Sequence, residues 1–125
     1  MHENEIAKII VDCSLKIHKT LGPGLLESVY ETTLAYELEK AGLKVIRQKP
    51  MPVIYEDVKL NLGFRIDIIV EDKVIVEIKS IETLARVHFK HILTYLKLSD
   101  KKLGLLINFN ESLIKDGIKR VVNNL

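Results

Sequence analysis

With one cysteine, no tryptophan and three prolines in 125 residues, the chain has little of what marks several protein classes. A lone thiol forms neither an internal disulfide nor a cysteine zinc cluster. Cys13 therefore reads as a buried structural thiol on an apolar helical stripe. No apolar run approaches the ~18 residues of a membrane span, and the acidic start Met-His-Glu-Asn-Glu is no signal peptide. Neither repeats nor a linker interrupt residues 1–125, so one domain with a real core is expected. The absence of Trp and of a basic-aromatic stripe counts against a base-stacking platform. Together these absences point to a reducing, cytoplasmic setting without a membrane partner.

What is present is charge, unevenly spread. Residues 1–72 carry 9 Lys and Arg against 12 Asp and Glu, while residues 73–125 carry 10 against 5. A basic C-terminal half beside acidic residues suits a polyanion held near a metal, and a solvated lysine-rich surface has the same composition.

Apolar spacing predicts a helix over 4–19 through Ile6, Ile9, Ile10, Cys13 and Ile17. Gly22-Pro23-Gly24 breaks it. A second helix follows from about Leu25 to Lys40, burying Leu26, Val29, Tyr30, Leu34 and Leu38, with Gly42 as its cap. Leu43–Gln48 and Pro52–Tyr55 read as short strands, and Val58–Val70 as a longer one bent around Asn61-Leu62-Gly63. Thr83–Leu98 reads as a helix with Leu84, Val87, His91 and Tyr95 on one face. Leu103–Phe109 reads as a buried strand, and Ser112–Val122 as a closing helix. A strand after a helix pairs parallel to an earlier strand through a right-handed crossover. The fold class is α/β, a mixed sheet flanked by helices.

Phe64–Ser80 holds the chemistry. Two β-branched runs flank Glu71-Asp72, a hairpin signal that rests on the strands more than on the turn. Asp67 lies in the first strand, Glu77 and Lys79 in the second. Side chains alternate along a strand, so Glu77 and Lys79 share a face about 7 Å apart, and the hairpin brings Asp67 beside them. Val74, Val76 and Ile78 make the other face apolar. Two readings follow: a cross-strand ion pair on a solvent-facing strand, or a site where a divalent cation relieves buried carboxylates.

The element order with these acids resembles the PD-(D/E)xK nuclease superfamily, whose restriction-endonuclease-like core runs α-β-β-β-α-β. Gly24-Leu25-Leu26-Glu27-Ser28-Val29-Tyr30 is similar to the motif that names the GxxExxY family within it. The Asp67 strand, Val76-Glu77-Ile78-Lys79, Tyr95-Leu96, Gly104–Phe109 and Gly117-Ile118-Lys119-Arg120 extend the likeness over nearly the whole chain. The resemblance implies that Asp67, Glu77 and the Ile78 carbonyl ligate Mg²⁺ or Mn²⁺. Lys79 would then serve catalysis, and Glu27 would join as a water-mediated or second-metal ligand. By composition alone, Glu27 is a surface helix residue. Tyr30 is expected to be a core aromatic whose hydroxyl bonds a site carboxylate, and Tyr95 is equally open. His91 stands where relatives tend to have glutamine before Tyr-Leu. Arg86, Lys90 and Lys97 are candidate phosphate contacts or a solvated helix face, and His18 and His88 gain no role.

The function implied is a Mg²⁺-dependent nuclease acting on DNA, including branched or damaged DNA. Specificity would come from a homodimer or another partner. The competing class is a catalytically silent nucleic-acid- or protein-binding module, which has no need to keep Asp67, Glu77 and Lys79 together.

Overall fold

A computed structural model describes residues 1–125, with the side chains of all but Asn61 and Leu62. Helix α1 spans Glu3–Leu21 and buries Ile6, Ala7, Ile10, Ser14 and Ile17. Its first turn is closed by His2, which accepts from the Asn4 amide at 3.0 Å, while the Glu5 carboxylate takes the His2 amide at 3.1 Å. Cys13 sits at the margin of the buried face, half-buried rather than enclosed.

Helix α2 (Glu27–Lys40) starts later than expected, and its inward face differs. Tyr30, Glu31, Leu34, Ala35 and Leu38 are buried, whereas Leu26 is 74% and Val29 39% exposed. Leu26 lies ahead of the first helical turn, so helical spacing does not apply to it. The inward face instead admits an acid, Glu31.

The sheet has five strands in the order β1 (Val45–Tyr55), β2 (Val58–Val70), β3 (Val74–Lys79), β4 (Leu103–Asn108) and β5 (Ile118–Val122). All neighbours are antiparallel except β3 and β4, which are parallel and joined through helix α3 (Arg86–Ser99). The order α2-β1-β2-β3-α3-β4 is the α-β-β-β-α-β core expected of a restriction-endonuclease-like fold. Ile68, Val70, Val74, Val76, Ile78, Leu105 and Ile107 pack with α1 and α2. Ile66, Ile69, Ile75 and Leu106 pack with Ile92, Tyr95 and Leu96 of α3. The strand alternation of β3 therefore separates two apolar layers.

Three boundaries depart from expectation. The two short strands form one strand, β1, although Pro50 and Pro52 lie in it; β1 is the sheet's edge, where a missing N–H donor breaks no ladder. Ser112–Val122 is helical only at α4 (Ile114–Gly117) and then becomes β5. Its spacing suits helix and strand alike, and the free edge of β4 selects the strand. Helix α3 begins at Arg86, and Val87 is 47% exposed, so its buried face is Ile92, Tyr95 and Leu96. The bend expected at Asn61-Leu62-Gly63 falls in part outside the described residues; β1 and β2 shift register between Met51 and Val53.

The β2–β3 turn is made by Glu71 and Asp72, with φ of 53° and 55°. Two left-handed central residues suit the twist of a tight hairpin, and Asp tolerates that conformation. The Lys73 amide donates to the Val70 carbonyl at 3.0 Å to close it.

Candidate metal centre and active site

The β2–β3 ladder runs from Val70↔Val74 to Ile68↔Val76. Beyond it, side chains replace backbone acceptors. The Asp67 amide donates to Glu77 Oε1 at 3.3 Å, and the Ile78 amide donates to Asp67 Oδ2 at 2.8 Å. Each carboxylate thus takes an amide of the opposite strand, and the two acids are locked face to face.

Glu77 is 7% exposed, and its carboxyl is pushed up to about 8, first by burial and then by the Asp67 charge. Asp67 is raised by burial, against which the Ile78 amide works. Lys79, half-buried at the strand end, makes no ion pair or side-chain hydrogen bond among the described residues. Its charge nonetheless favours the ionised form of both acids. The exposed ion pair considered from the sequence is therefore not what the strands build.

Backbone alternation sets the Ile78 carbonyl. The Lys79 carbonyl accepts from the Phe109 amide at 2.9 Å, on the β4 side. The Ile78 amide and carbonyl consequently point the other way, toward β2 and Asp67. Two carboxylates and a carbonyl are hard oxygen donors suited to Mg²⁺ or Mn²⁺. Among the described residues, no three His, Cys, Asp or Glu side chains converge enough to hold a metal by themselves. A cation here would take Asp67, Glu77, the Ile78 carbonyl and water.

A profile of the PD-(D/E)XK nuclease superfamily matches residues 4–121. The chain belongs to that superfamily. No curated protein and no solved structure matches it. Nucleases of the PD-(D/E)XK superfamily generally use divalent metal ions, in keeping with the oxygen donors assembled here.

Behind Asp67 lies a polar layer that the sequence did not reveal. Glu31, 6% exposed, accepts from Arg47 Nε at 3.0 Å and from Gln48 Nε2 at 2.6 Å. Gln48 Nε2 also reaches Asp67 Oδ1 at 3.4 Å, from a left-handed backbone with φ of 51°. A non-glycine residue held there marks a position fixed by its surroundings. The available signal was Glu31 one turn after Glu27 on α2; its partners on β1 were invisible to local spacing.

Glu27 does not join the acid pair. Its Oε2 accepts from the Ser80 amide at 3.1 Å, while the Ser80 hydroxyl donates to the Leu25 carbonyl at 2.6 Å. These bonds dock the start of α2 one residue beyond Lys79. Tyr30 likewise departs from expectation: its hydroxyl donates to the Gly22 carbonyl at 2.6 Å and accepts from the Leu25 amide at 3.1 Å, touching no carboxylate. Its ring stacks on Phe109 with centroids 4.4 Å apart. Tyr30 therefore holds the Gly22–Gly24 loop that places Glu27. Tyr30→Phe should cost about 1–3 kcal/mol in urea unfolding, because a buried-side carbonyl and amide lose their partner. A loss well below this range would mean that the loop holds itself.

On the other side, Tyr95 is 7% exposed, and its hydroxyl is pushed up to about 12 by burial, then by Glu77 and Asp67. His91 is exposed, its ring near those of Phe64 (6.3 Å) and Tyr95 (6.5 Å). It sits at the rim rather than on the sheet-facing side of α3. His88 Nδ1 accepts from the Ala85 amide at 2.9 Å. Burial and then the Lys79 charge hold its imidazole below the usual range. Arg86, Lys90 and Lys97 share one exposed stripe of α3.

Asn108, fully buried at the end of β4, was also missed. Its side chain donates to the Ile81 carbonyl at 2.9 Å and accepts from the Ile81 amide at 3.1 Å. It fixes the exit of β3 just beyond Lys79.

Proposed function

We propose that residues 1–125 form one nuclease domain that hydrolyses phosphodiester bonds of DNA, including branched or damaged DNA, with Mg²⁺ or Mn²⁺. The observation that carries this reading is the reciprocal Asp67–Glu77 exchange at the end of the β2–β3 ladder, with Lys79 beside it. Two carboxylates that burial drives to keep a proton are poorly placed as a structural pair and well placed to receive a cation. Bound there, the cation would supply charge neutralisation and a more acidic water.

In hydrolysis, a water oxygen bonds to phosphorus as the ester P–O bond breaks, leaving a phosphate monoester and an alcohol. The Lys79 ammonium would stabilise negative charge gathering on the phosphoryl oxygens. Glu31 and Gln48 would hold Asp67 in place, and Glu27 would act across Ser80 through water. Tyr95 and His91 would border the entry, with Arg86, Lys90 and Lys97 taking flanking phosphates. Among the described residues no helix is long and apolar enough to cross a membrane. We further propose a cytoplasmic setting and a homodimer.

The test is purified protein with Mg²⁺ or Mn²⁺ on single-stranded, duplex, branched and abasic DNA. Metal-dependent cleavage of at least one substrate, lost in Asp67→Asn, is expected. Metal binding without cleavage of any of them would favour the silent binding module.

A further inference from the structure

The β1–β2 hairpin reaches well past the rest of the sheet. It pairs from Val45↔Val70 out to Tyr55↔Val58, whereas β2 is laddered to β3 only between Ile68 and Val70. On this arm lies a groove of about 490 Å³, whose lining includes Lys49, Lys59, Arg65, Met51, Pro52 and Phe64. Three cations line it and no carboxylate does. All three are exposed, and among the described residues none makes an ion pair or a side-chain hydrogen bond. Charges of one sign gathered in a concavity repel one another, so the arrangement suits an anion that spans them.

The apolar part is equally specific. Met51 and Phe64 are direct cross-strand partners. A side chain at Gly63 would run into the Met51 carbonyl, so glycine permits the close approach of the two strands here. Pro50 and Pro52 remove amide donors from the outer edge of β1, which discourages a further strand from pairing there. That counts against a second copy or an extended peptide as the occupant.

The groove also leads to the acids. Phe64 packs against Tyr95 with ring centroids 5.1 Å apart. Arg65 precedes Asp67 by two strand positions, about 7 Å. Lys59 is at most about 29 Å from Asp67 along β2, or about eight nucleotides at the axial rise of one DNA strand.

We infer that this groove is a phosphate-binding track, holding the backbone of a DNA strand with Lys49, Lys59 and Arg65 while Phe64 and Met51 meet a sugar or base. The inference rests on the nuclease reading and adds where the uncut part of the strand lies. The cations come from residues 49–52 and 59–65, which is why no basic-aromatic stripe was visible in the linear sequence.

Fluorescence anisotropy tests it with labelled DNA of 4, 8 and 16 nucleotides in EDTA, at 50 to 200 mM salt. Wild type should bind more tightly up to roughly the eight nucleotides set by the arm. The variant Lys49→Ala/Lys59→Ala/Arg65→Ala should lose that gain and about 2–3 units of the slope of log affinity against log salt. Lys49→Arg/Lys59→Arg/Arg65→Lys should retain both. Lys8→Ala/Lys40→Ala/Lys115→Ala removes the same charge elsewhere and should bind like wild type. The track is overturned if the groove variant keeps the wild-type slope and length dependence, or if the distant triple loses as much. Wild type binding polyglutamate and not DNA would also overturn it. A Mn²⁺-induced rise in Tm reads the acid pair separately. The track fails alone if that rise persists while the groove variant binds as wild type; the nuclease reading fails alone if the rise is absent while groove-dependent binding remains.

Discussion

Replacing Lys79 by methionine is expected to lower cleavage by roughly 10²–10³-fold, while the metal-induced rise in Tm persists. Methionine keeps an apolar stem and deletes the ammonium. Losing one partner of a buried ion pair costs about 3–5 kcal/mol, but Lys79 makes no ion pair among the described residues and is only half-buried. Stability should therefore change little, and the loss should appear in the rate. Activity and urea unfolding of one preparation separate the two roles. A fully active Lys79→Met would reject the catalytic role, and a large stability loss with unchanged specific activity would make Lys79 structural.

The second large effect is one of pH on the metal-free protein. Glu77 is raised from 4.5 to about 8, so between those values the native state holds a proton that the unfolded chain has released. The Glu77 contribution to stability is then fully present below about pH 4.5 and falls as pH rises toward about 8, by on the order of a few kcal/mol. The raised Asp67 acts in the same direction. Asp72 has the opposite sign, because Lys101 holds it low; its contribution is present above the ordinary Asp range and lost in acid. Glu77→Gln should flatten most of the neutral-range decline and leave the variant more stable than wild type at pH 8 in EDTA. Asp67→Asn/Glu77→Gln should also abolish any response to Mn²⁺. The check is urea unfolding in EDTA from pH 5 to 8.5. A flat wild-type profile would contradict the buried, mutually repelling pair.

The parts of the site legible in the sequence were those written in local period. Val74, Val76 and Ile78 alternate with Ile75, Glu77 and Lys79, and the structure sends the two sets to opposite sides of the sheet. Glu71-Asp72 marked the turn that brings Asp67 opposite Glu77. What escaped was set by contacts distant in sequence. Glu31 has a helix former's composition, and only Arg47 and Gln48 from β1 make it a buried acid. Ile118–Val122 could have continued a helix, and the open side of β4 made it a strand. Tyr30 was read correctly as a core aromatic, but its hydroxyl serves the Gly22 loop. The basic groove depends on pairing Met51 with Phe64 across two strands.

If Asp67 and Glu77 form the proposed metal site, they exchange a proton for a cation. The most direct measurement is calorimetric titration of Mn²⁺ at pH 7, repeated in buffers of different ionisation heat. With Glu77 at about 8 in the metal-free protein, binding should release close to one proton at pH 7 and progressively less as the pH rises through about 8. Asp67→Asn/Glu77→Gln should give no binding heat. Binding that releases no proton at pH 7, or that survives intact in the double variant, would contradict the claim.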